Sequence, residues 1–440
     1  MVVSLTFYGG VKEIGGNKVL LRSGDAKVFL DFGMSFTLRE QFYSDPFLSP
    51  RRKEDLLEFG ILPDLRGIYR PDGDEPPQID AVFLSHGHMD HAAYTSFLRN
   101  DIPVYCGETT ATVLKALGAT KVGLEYDIGD VRFKTFRTGD KIKIGDLTVE
   151  PVHVDHSIPG AYGFILHTPS GAVVYTGDFR LHGTKPEMTE EFVQKAAEAE
   201  PVAVIPEGTN MVNAEISSEP EVGEKINRII GQASGLVLAD FAWADVDRLR
   251  SFYQAAKLNE RRLAVTLKQA YLLNRLSTDP HLKIPSLKDE SVLVFQRTKK
   301  RYFDWEREIL ELGNVVASSQ VAERQGKVVL AISFYGLGEL IGIKPAPESC
   351  YILSASEPFN EEMEIDFNRL MNWLDHYGLP QYHVHISGHI MPLQLKETLK
   401  TIKPKKIFPI HGEHPELFRK FMKNLPSEIT LTEKGKEYTL

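Results

Sequence analysis

The chain has 440 residues, of which 42% are hydrophobic and 25% charged, and its formal net charge is −9 at pH 7. This length predicts two domains, and the composition is typical of a globular protein with no membrane span. The chain has 2 cysteines, which are too few for a disulfide framework. The negative charge argues against a protein that coats nucleic acid indiscriminately, although basic patches or bound metal ions can offset it locally.

The first elements are predicted to be short strands separated by glycine turns. The chain enters the first strand without a basic and apolar leader, so we expect no signal peptide and a cytoplasmic location. Residues 34–78 predict a long surface loop with one short helix near 53–59, and the pattern assigns no role to 34–52. The predicted strands are residues 3–8, 18–22 and 27–31, the last of which ends in Asp31.

The densest group of metal-binding side chains follows an apolar run that predicts a buried strand. Residues 86–91 read His-Gly-His-Met-Asp-His, and imidazole nitrogen and carboxylate oxygen are ligands that Zn²⁺ accepts. His86 and His88 can point the same way on an extended segment, whereas Asp90 and His91 follow the strand and can face a second point. The spacing indicates two metal ions, against the alternative of a polar turn with Asp90 as a helix cap.

Two further candidate ligands stand at the ends of strands predicted near 147–154 and 172–176. His156 could complete three nitrogen ligands around one ion with His86 and His88. Asp178 could bridge two ions, because a carboxylate has two oxygens. The alternative is that each is an ordinary turn residue after a strand.

The middle of the chain has a different character from the rest. Helical patterns alternate with apolar runs from about 215 to 355, and His281 is the only histidine there, which predicts a second α/β domain. The histidines return at 383–389 and at His411, so the middle domain is predicted to be an insertion. His411 could then complete the second ion's ligands with Asp90, His91 and Asp178. The predicted domains are residues 1–212 with 361–440, and the inserted 213–360.

Together these residues resemble the metal set of the metallo-β-lactamase fold. Within that fold, the insertion after Glu207 and the segment Ser387-Gly388-His389 resemble the β-CASP nucleases. The motifs are most similar to the ribonuclease J group, and the resemblance covers nearly the whole chain. The segments that carry it are Gly9-Gly10-Val11-Lys12-Glu13-Ile14-Gly15-Gly16-Asn17, His156-Ser157-Ile158-Pro159 and His385-Ile386-Ser387-Gly388-His389.

The resemblance implies an α/β fold, the αββα metallo-β-lactamase sandwich with an inserted α/β β-CASP domain. At matched positions it implies that Asp31 orients a metal-binding histidine. Glu207 would be a carboxylate near the metal-bound water, and His389 a general acid or phosphate contact. A histidine at 411 is similar to the RNA-directed branch, whereas the DNA-directed, Artemis-like branch typically has an apolar residue there. Bacterial members usually carry a further C-terminal domain, so this chain is more similar to archaeal members, and a homodimer stays open.

The implied activity is that of a zinc-dependent ribonuclease with two Zn²⁺ per chain, with Mn²⁺ or Mg²⁺ as alternatives. The two metals would lower the pKa of a water and yield a hydroxide that attacks RNA phosphodiester bonds. We expect a 5′-to-3′ exonuclease with some endonuclease activity in RNA processing or decay. The alternatives are an endoribonuclease of the cleavage/polyadenylation-factor type, an Artemis-like DNA nuclease, and a non-catalytic RNA-binding protein.

The segment 385–389 also predicts a pocket for the 5′-phosphate of RNA. Ser387 and Gly388 are small, so backbone N–H groups could approach an anion closely, and His385 flanks them. The alternative is that Ser387 and Gly388 form only the turn that delivers His389 to the metals.

Overall fold

The chain folds into two units, and the first is assembled from both ends of the sequence. It comprises Met1–Glu215 and Gly388–Leu440, and the second unit comprises Ile216–Ser387. The computed structural model describes residues 2–44, 47–70, 76–121, 123–129, 131–212, 214–356 and 361–440.

The first unit contains two seven-stranded sheets. The first sheet has the order β21-β1-β2-β3-β4-β5-β6 and the second has the order β20-β19-β11-β10-β9-β8-β7. The strands of the first sheet are β1 (Val3–Gly9), β2 (Lys18–Ser23), β3 (Ala26–Leu30), β4 (Ala81–Phe83), β5 (Val104–Gly107), β6 (Phe133–Phe136) and β21 (Glu437–Thr439). Those of the second are β7 (Ile142–Ile144), β8 (Leu147–His153), β9 (Tyr162–Thr168), β10 (Gly171–Tyr175), β11 (Ala203–Ile205), β19 (Lys406–Ile407) and β20 (Glu428–Ile429).

The two sheets pack face to face, with helices on their outer faces. Because side chains alternate along a strand, Val28 and Leu30 of β3 enter the core between the sheets while Phe29 enters the outer core. The sandwich is therefore of the predicted αββα type. Its helices are α1 (Phe36–Phe42), α2 (Lys53–Glu58), α3 (Met89–Ala92), α4 (Glu108–Thr120), α5 (Pro186–Glu198), α13 (Pro392–Ile402) and α14 (Pro415–Phe421), with short 3₁₀ turns at Ala93–Phe97, Leu124–Tyr126 and Thr209–Met211.

The parallel strands of the two sheets determine where the polar side chains gather. In the first sheet β3, β4 and β5 are parallel neighbours, and in the second β10, β11 and β19 are. The carboxyl ends of parallel neighbours lie at one edge of a sheet. The segments that follow β3, β4, β10, β11 and β19 carry the candidate ligands.

The second unit is built on one parallel sheet with the order β15-β14-β13-β16-β12-β17-β18. Its central strands are buried on both faces, as a parallel sheet covered by helices requires. The strands are β12 (Val237–Asp240), β13 (Arg262–Thr266), β14 (Val292–Gln296), β15 (Val315–Ala317), β16 (Val328–Ala331), β17 (Cys350–Leu353) and β18 (Gln381–His383). The helices are α6 (Glu219–Gln232), α7 (Val246–Leu258), α8 (Leu267–Leu276), α9 (Asp304–Leu312), α10 (Ser318–Glu323), α11 (Leu340–Ile343) and α12 (Glu361–Tyr377), with 3₁₀ turns at Gln325–Lys327 and Phe334–Glu339.

The inserted unit ends later than the sequence predicted, at Ser387 rather than at 360. The reason is that α12 leads into β18, and β18 pairs with β17 as the edge strand of the same sheet. The predicted loop 34–78 contains α2 as expected, and also α1, which was not predicted. Among the described residues, no helix combines the length and apolarity needed to cross a bilayer.

Candidate metal centre

The first group of candidate ligands joins His86, His88, His156 and Asp178. Their ligand atoms all lie within 4.8 Å of one another. His88 Nδ1 is 3.0 Å from His86 Nε2 and 3.1 Å from His156 Nε2. Burial lowers the pKa of all three histidines, that of His88 to about 4. Three neutral imidazoles therefore direct nitrogen atoms at one point.

The second group joins Asp90, His91 and His411 to the same Asp178, again within 4.8 Å. His411 Nε2 lies 3.1 Å from Asp90 Oδ2, and His91 Nε2 lies 3.1 Å from Asp178 Oδ2. Burial alone would lower the pKa of His91, but the carboxylates around it, led by Asp178, raise it well above its ordinary value. This point in the site therefore favours a positive charge.

Backbone hydrogen bonds from neighbouring loops hold the segment after β4 in place. Gly33 N donates to Asn17 O, and Asn17 N donates to Asp90 O. A side chain at Gly33 would place its Cβ 1.7 Å from Asp90 O, so only glycine fits there. The loop after β3 therefore lies directly against Asp90.

Asp31 is hydrogen-bonded to one of the candidate ligand histidines without joining the ligand groups. Its Oδ2 accepts a hydrogen bond from His91 Nδ1 at 2.7 Å, from the Ser85 hydroxyl at 2.8 Å and from the Tyr175 hydroxyl at 2.6 Å. His86 Nδ1 in turn lies 3.0 Å from Ser85 Oγ. These bonds leave Nε2 of both histidines facing the other ligands, which is the arrangement that the role predicted for Asp31 requires.

Two more of the candidate ligand histidines are held by hydrogen bonds that the sequence pattern does not indicate. His156 Nδ1 donates to Gly388 O at 2.7 Å, and His411 Nδ1 lies 2.8 Å from Thr209 Oγ. The Thr209 hydroxyl donates to Glu207 at 2.7 Å, so it can accept from His411. His411 and Asp31 both have positive φ, +52° and +59°. Non-glycine residues adopt this conformation only under constraint from their surroundings.

Glu207 and His389 form a pair beside the second group. His389 Nδ1 donates to Glu207 Oε2 at 2.9 Å and lies 3.6 Å from Asp178 Oδ2. Phe179 N donates to the other oxygen of Glu207 at 3.0 Å. Burial opposes a charge on His389, yet the negative charges of Glu207 and Asp178 outweigh it and raise the pKa to about 9. The Glu207 side chain is 1% exposed and that of His389 is 21%, so the histidine is the more accessible member.

The residues proposed for a 5′-phosphate pocket are divided between the two units. His385 and Ser387 belong to the second unit, and Gly388 belongs to the first. His385 Nδ1 lies 3.5 Å from Arg248 Nη1. Burial, reinforced by the Arg248 charge, lowers the pKa of His385 to about 4. Gly388 holds His156 through its carbonyl, a contact that the sequence pattern did not indicate.

The donor set fits divalent cations. The Asp178 Oδ1 atom is buried without a hydrogen-bond partner among the described residues, and a buried carboxylate oxygen in that state is costly. Neutral imidazole nitrogens converge on one side of Asp178. On the other side the carboxylates draw a proton to His91, and a cation bound there would take the place of that proton. Nitrogen and oxygen donors without thiolate suit zinc and similar ions. A bound cation would therefore satisfy both the imidazole nitrogens and the carboxylate oxygens.

Two family models match the chain. Residues 54–208 match the Beta-lactamase superfamily domain, and residues 381–423 match the Zn-dependent metallo-hydrolase RNA specificity domain. A crystal structure of a protein of unknown function from Enterococcus faecalis V583 superposes with a TM-score of 0.80, at 23% identity and over 100% of both chains. This structure supports the fold.

In its fold, its two matching domains and its His/Asp groups, the chain is similar to metallo-hydrolases with a beta-lactamase superfamily domain. Relatives over nearly the full chain are named ribonuclease J. Ribonuclease J of Thermus thermophilus is 28% identical over 454 residues, 98% of this chain and 73% of the relative. Ribonuclease J 2 of Streptococcus pyogenes is 25% identical over 430 residues, 94% of this chain and 70% of the relative. The resemblance to ribonuclease J-like β-CASP proteins is thus confirmed.

Proposed function

We propose that this chain is a metal-dependent ribonuclease that hydrolyses RNA phosphodiester bonds in RNA processing or decay. The observation that carries the proposal is the sharing of Asp178 between two ligand groups, with the Glu207–His389 pair beside it. Such a constellation suits the in-line displacement at a phosphodiester, in which two cations lie near the attacking and leaving oxygens. The buried, unpaired thiols of Cys106 and Cys350 fit a reducing cytoplasm.

The ions are proposed to be two zinc ions. His86, His88 and His156 would hold one, and Asp90, His91 and His411 the other, with Asp178 between them. The absence of thiolate in these groups is also compatible with Mn²⁺, so metal analysis of the purified protein decides the identity. When bound, the ions supply Lewis acidity that lowers the pKa of water and offsets charge on the phosphate oxygens.

The protein's own groups position the reaction and move its protons. Asp31, Thr209 and the Gly388 carbonyl hold the Nδ1 sides of three histidines, so that their Nε2 atoms stay directed inwards. Glu207 fixes His389 through Nδ1, which leaves Nε2 as the nitrogen that can give a proton to the leaving oxygen. The negative charges of Glu207 and Asp178 raise the pKa of His389 to about 9, so His389 holds a proton that it can donate.

The enzyme is further proposed to remove nucleotides from a 5′-monophosphorylated end. A time course on RNA labelled at either end tests this, with matched DNA as a control for substrate class. We expect mononucleotides from the 5′ end first, and faster decay of 5′-monophosphate RNA than of 5′-hydroxyl or 5′-triphosphate RNA. Equal rates on all three ends, or products from the 3′ end first, would contradict the directional part. Faster hydrolysis of DNA would contradict the RNA preference.

Ser387 is the residue to change in that assay. Gly388 is a poor choice, because a Cβ there would lie 2.7 Å from Ser157 Oγ and 3.0 Å from His156 Cε1, so a larger residue would disturb a ligand histidine. Ser387→Ala should reduce the preference for 5′-monophosphate RNA while the metal content is unchanged. A preference that survives this substitution would support the alternative, in which Ser387 and Gly388 only deliver His389.

A further inference from the structure

The second unit has its own pocket, of about 490 Å³. It lies outside the carboxyl ends of its parallel strands, where the chain leaves β12, β13, β14 and β16. The strand order reverses there: the chain runs outwards from β12 through β13 and β14 to β15, then returns to β16 and continues to β17 and β18 on the other side. In open parallel sheets, ligands bind at such a switch point.

The pocket combines aromatic surfaces with basic groups. The Trp243 and Trp305 side chains are half-buried, and Tyr335 is exposed. Lys268 Nζ lies 4.7 Å from the centre of the Trp243 ring. Trp305 is held at an angle of 69° against Tyr271, with ring centres 5.5 Å apart. The lining also includes Arg297, Lys299, Glu306, Asp240, Gln269 and Ser333.

The charges in the pocket favour an anion. The charge of Lys299 is balanced by an ion pair, since its Nζ lies 2.6 Å from Glu306 Oε1. Arg297 donates to a neutral acceptor, the Tyr335 carbonyl, at 2.6 Å and so keeps its charge. Lys268 lies against the Trp243 indole face, so a cation and an aromatic surface stand side by side in the pocket wall. Asp240 is the opposing carboxylate, and the Tyr351 hydroxyl donates to it at 2.5 Å.

We propose that this pocket binds one nucleotide, with its base against Trp243 or Trp305 and its phosphate near Lys268 and Arg297. A purely apolar ligand would make no contact with charge complementary to the basic side chains in the lining, and an inorganic anion would not cover its aromatic surfaces. A planar base joined to a phosphate uses both, and the volume is within the range of small-molecule sites. The nucleotide is either a free mononucleotide or one unit of an RNA strand. In both cases the biological role of the pocket rests on the proposed ribonuclease function.

Fluorescence of the full chain in its metal-loaded form tests binding directly, because two of its 3 tryptophans line the pocket. AMP should quench the emission saturably, and adenosine or inorganic phosphate alone should bind about tenfold more weakly or worse. Trp243→Ala and Lys268→Met should each weaken AMP binding about tenfold. Trp373→Phe is the matched control, since Trp373 packs against Tyr377 elsewhere in the unit and should leave AMP affinity unchanged.

Two further measurements separate this site from the metal centre and identify the source of the nucleotide. Asp178→Asn, which alters the metal centre, should leave the AMP quench intact. If the pocket receives a nucleotide of the RNA strand, Lys268→Met raises KM for RNA hydrolysis about tenfold at constant kcat. If it receives free mononucleotide, KM stays unchanged and AMP affinity alone falls.

The proposal is overturned if the wild-type chain shows no saturable quench with AMP. It is also overturned if Lys268→Met and Trp243→Ala, both with wild-type melting temperatures, bind AMP within twofold of wild type. Should Trp243→Ala fail to fold, Lys268→Met decides alone. A chain that binds AMP in this way but hydrolyses no RNA would refute the ribonuclease function and leave the pocket standing.

Discussion

Arg248 in the second unit and Asp178 in the first are both buried charges, and their surroundings differ. The Arg248 guanidinium, with 0% exposure, donates to Glu219 at 2.9 Å and to the Ser354 carbonyl at 2.9 Å. Cation and carboxylate therefore come from the same unit. Asp178 is instead surrounded by imidazoles whose nitrogens converge on it.

The two carboxylate sites therefore differ in the source of their cation. Glu219 is paired with Arg248, so that polar core can form from the chain alone. The first unit has such a pair too, Arg180 with Asp155, but around Asp178 it places carboxylates and neutral imidazoles where a metal ion would supply the charge, so the stability of this site should depend on metal. Five substitutions, each compared with wild type, test this difference in order of decreasing expected effect.

The largest effect is expected for Asp178→Asn. Asp178 is common to both ligand groups, and an amide carries no charge to offset two cations, so both ions should bind more weakly. We expect RNA hydrolysis to fall by at least ~10³-fold, as for loss of a central catalytic group. Elemental analysis of wild type and variant checks the metal content. A variant that retains two ions per chain would show that Asp178 does not bridge them.

Arg248→Met should destabilise the second unit by ~3–5 kcal/mol, because it leaves Glu219 buried without its cation. Urea unfolding measures the loss. The matched control is Arg275→Met, which breaks an ion pair whose side chains are 43% and 40% exposed, and should cost ~1 kcal/mol or less. The metal content of the folded protein should be unchanged in both variants. A loss of metal in Arg248→Met would show that the Arg248–Glu219 pair and the metal site are not independent.

Glu207→Gln and His389→Ala should reduce turnover by ~10²-fold, the usual scale for a positioned proton-transfer group. Glutamine can still accept from Phe179 N, and His389 is partly exposed, so we expect melting temperature and metal content near those of wild type. Steady-state kinetics with metal analysis on the same samples checks this. If either variant unfolds or loses metal, its residue has a structural role instead.

Much of the metal centre could be predicted because its residues follow strands that the sequence pattern reveals. His86, Asp178 and His411 each come a few positions after an apolar run, and parallel strands bring such ends to one edge of a sheet. The structure brings together the residues predicted for the two metal groups. Their ligation of metal stays a prediction that metal analysis will test.

The hydrogen bonds that orient these ligands could not be predicted. Tyr175 contacts Asp31 across 144 positions, and Thr209 contacts His411 across 202. Tyr175 is an ordinary strand residue by its pattern, and Thr209 an ordinary turn residue, so only the folded chain shows their partners. The end of the inserted unit was predicted too early for a similar reason, because strand pairing between β17 and β18 is a long-range contact.

Lys18 is a buried basic residue of the first unit, and its hydrogen bond to Gly16 O involves no carboxylate. Its Nζ donates to Gly16 O at 2.9 Å, and burial lowers its pKa from 10.5 to about 7, although nearby Glu13 opposes the shift. Between pH 7 and 10.5 the unfolded chain binds more protons at this residue than the folded chain. The free energy of unfolding should therefore rise with pH in that range, and the contribution of Lys18 should flatten below pH 7, where both states are protonated.

Lys18→Met should remove this pH dependence, an effect of about 1 kcal/mol between pH 7 and 8. The measurement is urea unfolding at several pH values, taken as the difference between wild type and variant so that titration of the histidines cancels. Lys12→Met is the control, since Lys12 lies in the turn that leads into β2 and is exposed, whereas Lys18 is buried. A difference between wild type and Lys18→Met that does not change with pH would mean that Lys18 stays charged in the folded chain. The first unit would then accommodate a full ammonium charge of its own, and its need for an external cation would be confined to the ligand groups around Asp178.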